Sequence, residues 1–149
     1  MRALVALGSN LGDRRASLEA GLEALGRLGP VTPSSLWPET PYESGRGPDY
    51  LNTVALLETP EADPRALLES LLRAELRLGR DRSGGRNAPR TLDLDLIAVE
   101  GVEGNWRWPA PTDLAVLGAE LTLELPHPRA RQRDFVMGPT RALGITFFP

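Results

Sequence analysis

Asp93 and Asp95 stand one residue apart in Leu92-Asp93-Leu94-Asp95-Leu96-Ile97, and this spacing carries the clearest chemical signal in the chain. Alternation of acid and aliphatic residue has the period of a β-strand, in which residues i and i+2 share a face. Both carboxylates then point to one side, and Leu92, Leu94 and Leu96 to the other. Two like charges on one face repel, and Arg90 just upstream is not enough to neutralise both. Hard divalent cations such as Mg2+ take oxygen ligands and are commonly held by one or two carboxylates together with substrate phosphates. Two such ions about 3.5–4 Å apart can clamp a phosphoryl group during its transfer. The same alternation would also serve an exposed strand edge charged for solubility, so the surrounding residues have to decide.

Four other regions are more polar or irregular than packing requires. The stretch 80–90 holds Arg80, Arg82, Arg86 and Arg90, with Gly84-Gly85 giving freedom to close over a ligand. Guanidinium forks match phosphate oxygens bidentately and keep their charge. Beside paired acids they compose a metal–polyphosphate site, although each Arg could equally pair with an acid elsewhere. His127 lies between Pro126 and Pro128, followed by Arg129, Arg131, Arg133 and Asp134-Phe135, a setting that favours an anion contact over a core histidine. Asn52, in Asp49-Tyr50-Leu51-Asn52, falls among apolar residues and must spend its amide on partners. A flat heterocycle is one such partner, and capping of a turn is the other. Gly8-Ser9-Asn10-Leu11-Gly12-Asp13-Arg14 forms a glycine-containing turn but lacks the G-x-G-x-x-G of a dinucleotide site.

Composition narrows the chemistry further. The chain has no Cys and no Lys, all 17 basic residues being Arg, and His127 is its one histidine. Thiolate nucleophiles, Cys-based zinc sites, Schiff bases and Walker-A loops are therefore excluded. Any polyphosphate must be held by Arg, metal and backbone amides. A net charge of −3 without a basic tail argues against nucleic acid as partner. No apolar run reaches the ~20 residues of a membrane span, and the apolar start is too short for a signal peptide. A cytoplasmic protein is expected.

The elements that must position these groups follow in order. A strand runs from Arg2 to Leu7, and Leu18, Leu22, Leu25 and Leu28 recur at helical spacing. Pro30 to Pro38 is at best an edge strand, interrupted by Pro33, and Glu39 to Pro48 reads as a long loop. Tyr50 to Thr59 is a strand. Asp63-Pro64 caps a helix whose stripe of Leu67, Leu68, Leu71, Leu72, Leu76 and Leu78 ends at Gly79. The Asp93/Asp95 strand follows, then a Trp-containing tail with a further strand around Leu121–Leu125. Strand, helix, strand, strand, helix, strand is the order of a ferredoxin-like split βαβ unit. The expected class is thus α/β (α+β), a mostly antiparallel sheet with helices packed on it, as one domain over 1–149.

Taken together, Gly8-Ser9-Asn10-Leu11-Gly12-Asp13-Arg14, Asp49-Tyr50-Leu51-Asn52, Pro89-Arg90-Thr91-Leu92-Asp93-Leu94-Asp95, Pro126-His127-Pro128 and Arg133-Asp134-Phe135 resemble the 6-hydroxymethyl-7,8-dihydropterin pyrophosphokinases of folate biosynthesis. The resemblance covers nearly the whole chain, with the motifs in order. It implies a ferredoxin-like fold and transfer of pyrophosphate from ATP to the pterin alcohol, releasing AMP. It implies two Mg2+ ions on Asp93 and Asp95, with ATP as co-substrate, and attack of the substrate hydroxyl on the β-phosphorus. It places Arg80, Arg82, Arg90, His127 and Arg133 on the nucleotide, with Arg82 and Arg90 foremost in catalysis. Thr40, Pro41 and Asn52 match pterin recognition, and Tyr50 with Phe135 the aromatic pair around the ring. A monomer is expected. Asn87-Ala88 stands where some members carry Trp-Gly, and Pro128 where others carry an aromatic residue.

Two other classes remain to be compared. A two-metal nucleotide hydrolase or nuclease would share the acids and arginines but has no need of Asn52 or Phe135. An RNA-binding ferredoxin-like module calls for aromatics on the sheet and a basic balance, which this composition lacks.

Overall fold

Strand β1 (Arg2–Ser9) is buried on both faces, as its run Ala3-Leu4-Val5-Ala6-Leu7 demands. The computed structural model describes residues 1–41, 48–78 and 92–148. After β1 come α1 (Arg14–Gly26), β2 (Val31–Pro33), β3 (Glu39–Thr40), β4 (Tyr50–Glu58), α2 (Pro64–Leu78) and β5 (Asp93–Val99). The chain continues through β6 (Gly104–Pro109), β7 (Glu120–Leu125) and α3 (Asp134–Leu143).

The main sheet has the order β2-β4-β1-β5, with β3 also paired to β4, and every pairing is antiparallel. In β1-α1-β2 the two strands enclose β4, and in β4-α2-β5 they enclose β1. This is the split βαβ arrangement expected from the element order. β2 lies at the sheet margin, where Pro33 removes no inner ladder bond. Helix α1 starts at Asp13, whose carboxylate accepts the Ala16 N–H at 3.0 Å. Helix α2 starts at Asp63-Pro64, with Asp63 accepting the Arg65 N–H at 2.9 Å.

The two sheet faces serve different ends. Ala3, Val5, Leu7, Ala55, Leu57, Leu92, Leu94 and Leu96 pack with Leu18, Leu25, Leu67 and Leu71 of α1 and α2 in one core. On the opposite face Leu4, Val54, Ile97 and Ala98 meet Val136 and Met137 of α3, along with Phe148. Burying about a dozen Leu and Val side chains at roughly 1.5–3 kcal/mol each makes the first core the main stabilising layer. Helix α3 covers only part of the second face, and the uncovered part is where the polar residues gather.

Three features depart from the linear reading. Glu39–Thr40, read as the start of a loop, forms the two-residue strand β3, paired Glu39↔Leu51 and Thr40↔Tyr50. The Trp-containing tail is a hairpin, β6–β7, in which Trp106 and Trp108 pack on the main core and the Trp108 Nε1–H donates to Glu69 at 2.9 Å. The segment after Arg133, to which the linear reading assigned no element, is a helix with Pro139 inside it. Its stability comes from the apolar face it buries rather than from propensity.

Candidate active site

β1 carries Ala6 and Gly8 toward the α3 side of the sheet, and their smallness leaves a depression there. Register makes it chemical. Gly8 pairs with Asn52 of β4 on one side and with Asp93 of β5 on the other. Two rungs along, Ala6 pairs with Val54 and with Asp95. Residues opposite one another on a sheet face the same way, so Asn52, Gly8, Asp93 and Asp95 share one floor. Asn52 and Asp93 lie two strand spacings apart, about 9.5 Å between backbones, and Asp93 and Asp95 about 6.7 Å apart along β5. The floor belongs to a cavity of about 520 Å³. Thr40, Pro41 and Tyr50 wall it on the β3–β4 side, and Arg133, Phe135 and Val136 on the α3 side.

At the Asn52 end, the side-chain amide is already oriented. Its Nδ2 donates to Thr40 Oγ1 at 3.0 Å and to the Pro38 carbonyl at 3.3 Å. Both amide hydrogens are thereby spent, and Oδ1 remains as an acceptor beside Gly8. An ideal Cβ at Gly8 would lie 3.3 Å from that oxygen. Asn52 thus offers the cavity an acceptor, rather than the donor-and-acceptor pair suggested by its residue type. Tyr50 and Phe135 flank the same space from opposite walls. The Arg133 guanidinium lies 5.8 Å from the Phe135 ring centroid, within cation–π range.

At the other end, Asp93 is half-buried and Asp95 exposed, while Leu92, Leu94 and Leu96 are buried in the opposite core. The two-face reading of this strand therefore holds. A third carboxylate, not singled out in the sequence, fixes the pair. Glu75 of α2 accepts the Leu94 N–H at 2.5 Å. Leu94 is the residue between the two acids, and β5 ends the sheet, so this contact satisfies an edge amide that the ladder leaves over. The only sequence hint was a Glu interrupting the leucine stripe of α2.

His127 arrives through a bulge. The β1–β5 register shifts between Leu4 and Val5, leaving Ile97 unopposed. The Ile97 carbonyl accepts the His127 N–H at 2.7 Å, which ties the end of β7 beside the Asp95 strand. Burial holds the imidazole below its ordinary value, opposed by the Asp95 carboxylate and reinforced by Arg133 and Arg129. His127 is thus neutral at pH 7. Its Nδ1 accepts the Arg129 N–H at 3.2 Å, so the ring proton resides on Nε2.

A single depression thus holds a ring-sized slot, paired acids and the Arg133 guanidinium. Comparison with known proteins gives the family of the chain. The family model described as 7,8-dihydro-6-hydroxymethylpterin-pyrophosphokinase (HPPK) matches residues 4–144. The chain belongs to this family. A 2-amino-4-hydroxy-6-hydroxymethyldihydropteridine pyrophosphokinase of Mycobacterium bovis is 35% identical over 145 residues, which cover 97% of this chain and 73% of that protein. The protein of the same name from Haemophilus influenzae is 37% identical over 140 residues, covering 92% and 78%. Among solved structures, an HPPK-DHPS crystallised in complex with substrates superposes with a TM-score of 0.60 at 10% identity. That match covers 91% of this chain and 38% of the other, and it supports the fold.

The HPPK fold gathers eight of the sequence-selected residues around one cavity, namely Thr40, Pro41, Tyr50, Asn52, Asp93, Asp95, Arg133 and Phe135. His127 stands outside the cavity lining but within electrostatic reach of Asp95. Arg80, Arg82, Arg86 and Arg90, together with Gly84-Gly85, lie outside the described residues. Among the described residues no cluster of three or more His, Cys, Asp or Glu side chains forms a metal site. A pair of carboxylates suits Mg2+, which keeps waters and takes the rest of its shell from phosphates. Among the described residues, no helix is long and apolar enough to cross a membrane.

Proposed function

We infer that this chain transfers pyrophosphate from ATP to 6-hydroxymethyl-7,8-dihydropterin, giving AMP and the pterin diphosphate in folate biosynthesis. The observation that carries the reading is the rung Asn52–Gly8–Asp93. It sets a ring-reading acceptor and the first of two acids at opposite ends of one cavity, separated by the length of a bicyclic ring with its hydroxymethyl arm. A plain nucleotide hydrolase has no use for that slot.

In the proposed mechanism the pterin lies between Tyr50 and Phe135, its ring donor on Asn52 Oδ1 and its hydroxymethyl arm toward Asp93. Offset stacking and burial supply most of the binding. Asp93 and Asp95 would hold two Mg2+ ions, which on binding neutralise phosphate charge and favour ionisation of the alcohol. Arg133, and the neutral His127 through its Nε2–H, would contact the nucleotide, with Arg80, Arg82 and Arg90 assigned to its phosphates on the strength of the motif. The alcohol oxygen forms a bond to the β-phosphorus as the bond to the α,β-bridging oxygen breaks, so AMP leaves with that electron pair. Charge neutralisation and positioning account for the rate, and no covalent intermediate is needed. The reading takes the chain as a monomer.

The test is incubation with ATP, the pterin alcohol and Mg2+, with all products quantified. AMP and pterin diphosphate should appear in equal amounts and only when pterin is present. Pterin-independent ADP or inorganic phosphate as the main product would establish the hydrolase instead.

A further inference from the structure

Arg14 opens α1, where the helix dipole disfavours a cation and the first turn holds no acid. Its guanidinium instead reaches away from the helix. Nη1 donates to the Asp49 carbonyl at 2.9 Å, and Nη2 donates to Glu39 Oε1 at 2.9 Å. Glu39 and Asp49 immediately flank the Thr40↔Tyr50 rung, the last pairing of the two-residue strand β3 with β4. Two rungs are too few to hold a strand in place unaided. From the cavity side, Asn52 Nδ2 ties this wall through Thr40 Oγ1. From the outside, Arg14 bridges both chain segments that enter and leave the wall.

We propose that Arg14 is a positioning residue for the pterin edge of the cavity. Its fork clamps β3 to the start of β4, and so sets the place of Thr40, Pro41 and Tyr50 relative to Asn52 Oδ1. Arg14, the last residue of the Gly8–Arg14 motif, thus acts on the ring pocket from outside the cavity. The inference rests on Asn52 and its neighbours being the pterin edge. It predicts a defect confined to that substrate, since Asp93 and Asp95 are placed by the pairing of β5 with β1, and His127 by its bond to Ile97.

The experiment compares Arg14→Met, Arg14→Lys, Glu39→Ala and Asn52→Ala with the parent by steady-state kinetics and thermal melting. Arg14→Met should raise pterin KM about tenfold, equivalent to ~1.4 kcal/mol, with kcat, ATP KM and melting temperature near parental values. Glu39→Ala, which removes one leg at an exposed position, should give a smaller rise. Arg14→Lys, with charge but no fork, should recover only part of the loss. Unchanged pterin KM in Arg14→Met alongside a raised value in Asn52→Ala would overturn the positioning role. A parallel loss of kcat, both KM values and melting temperature would make Arg14 a fold-stabilising residue and also overturn it. Unchanged pterin KM in Asn52→Ala would instead remove the assignment of the pterin edge itself.

Discussion

Gly8→Ala should weaken pterin binding while leaving the protein as stable as before, or slightly more so. Gly8 lies in the central strand with ordinary strand dihedrals, so alanine there removes unfolded-state entropy worth about 0.5–1 kcal/mol. Against this, the new Cβ would stand 3.3 Å from Asn52 Oδ1, 3.9 Å from Tyr50 Cδ1 and 4.0 Å from the Leu51 carbonyl. The first contact is tight, and Asn52 cannot swing away freely because its Nδ2 is held by Thr40 and Pro38. A few tenths of an ångström of yielding should offset most of the gain, for a net change within about 1 kcal/mol. The ligand fares worse. The methyl occupies the space beside the acceptor oxygen, so a ring N–H has to give up its hydrogen bond there. Losing a buried hydrogen bond costs about 1–3 kcal/mol, a fall in pterin affinity of roughly 5- to 150-fold. Calorimetric titration with pterin, in the presence of Mg2+ and a non-hydrolysable ATP analogue, measures the loss, and chemical denaturation measures the stability. ATP-analogue affinity should stay unchanged. Parental pterin affinity in a folded Gly8→Ala protein would refute the placement of the ring edge over this rung.

Asp93→Asn or Asp95→Asn should lower turnover by about 10²–10³ or more, the range for lost electrostatic stabilisation, while the metal-free melting temperature holds or rises as repulsion is relieved; normal AMP release by both at saturating Mg2+ would sink the metal assignment. Glu75→Ala, which strips the Leu94 N–H of its acceptor, should cost about 1–3 kcal/mol in denaturation and reduce kcat, whereas Glu75→Gln keeps an acceptor and should restore both; equal behaviour of the two variants would contradict the role given to this contact. His127, the one histidine, gives an unambiguous NMR titration, and in the metal-free protein its midpoint should fall below 6.5, and lower still in Asp95→Asn, because burial lowers it and Asp95 raises it. Because the unfolded state takes up its proton first, this group's contribution to stability is present above pH 6.5 and is lost as pH falls below that value. A midpoint at or above 6.5 would show that the imidazole is not desolvated.

Much of this was legible along the chain because it depends on local periodicity. Alternation in 92–97 determined that Asp93 and Asp95 share a face, and the leucine stripes marked Leu18 and Leu25 of α1 and Leu67 and Leu71 of α2 for the core, though Leu72 and Leu76 of the α2 stripe lie outside it and Ala74 takes the buried line. Asn52, Tyr50 and Phe135 could be nominated from residue type and from their resemblance to a known family. Other features come from contacts between distant segments, which no window of sequence encodes. That Gly8 lies between Asn52 and Asp93 is a matter of register, fixed only when three strands pair. Helix α3 survives Gly138-Pro139 because Val136 and Met137 find a sheet face to cover. His127 reaches Asp95 through a bulge at Ile97 and a hairpin that its own neighbours do not announce. Glu75 and Arg14 look like ordinary charged residues on helices until folding brings the Leu94 amide to one and Glu39 with Asp49 to the other. Residue type determines which groups can do chemistry; the distances among them arise from long-range pairing, whose energy resides in the assembled sheet and core rather than in any one segment.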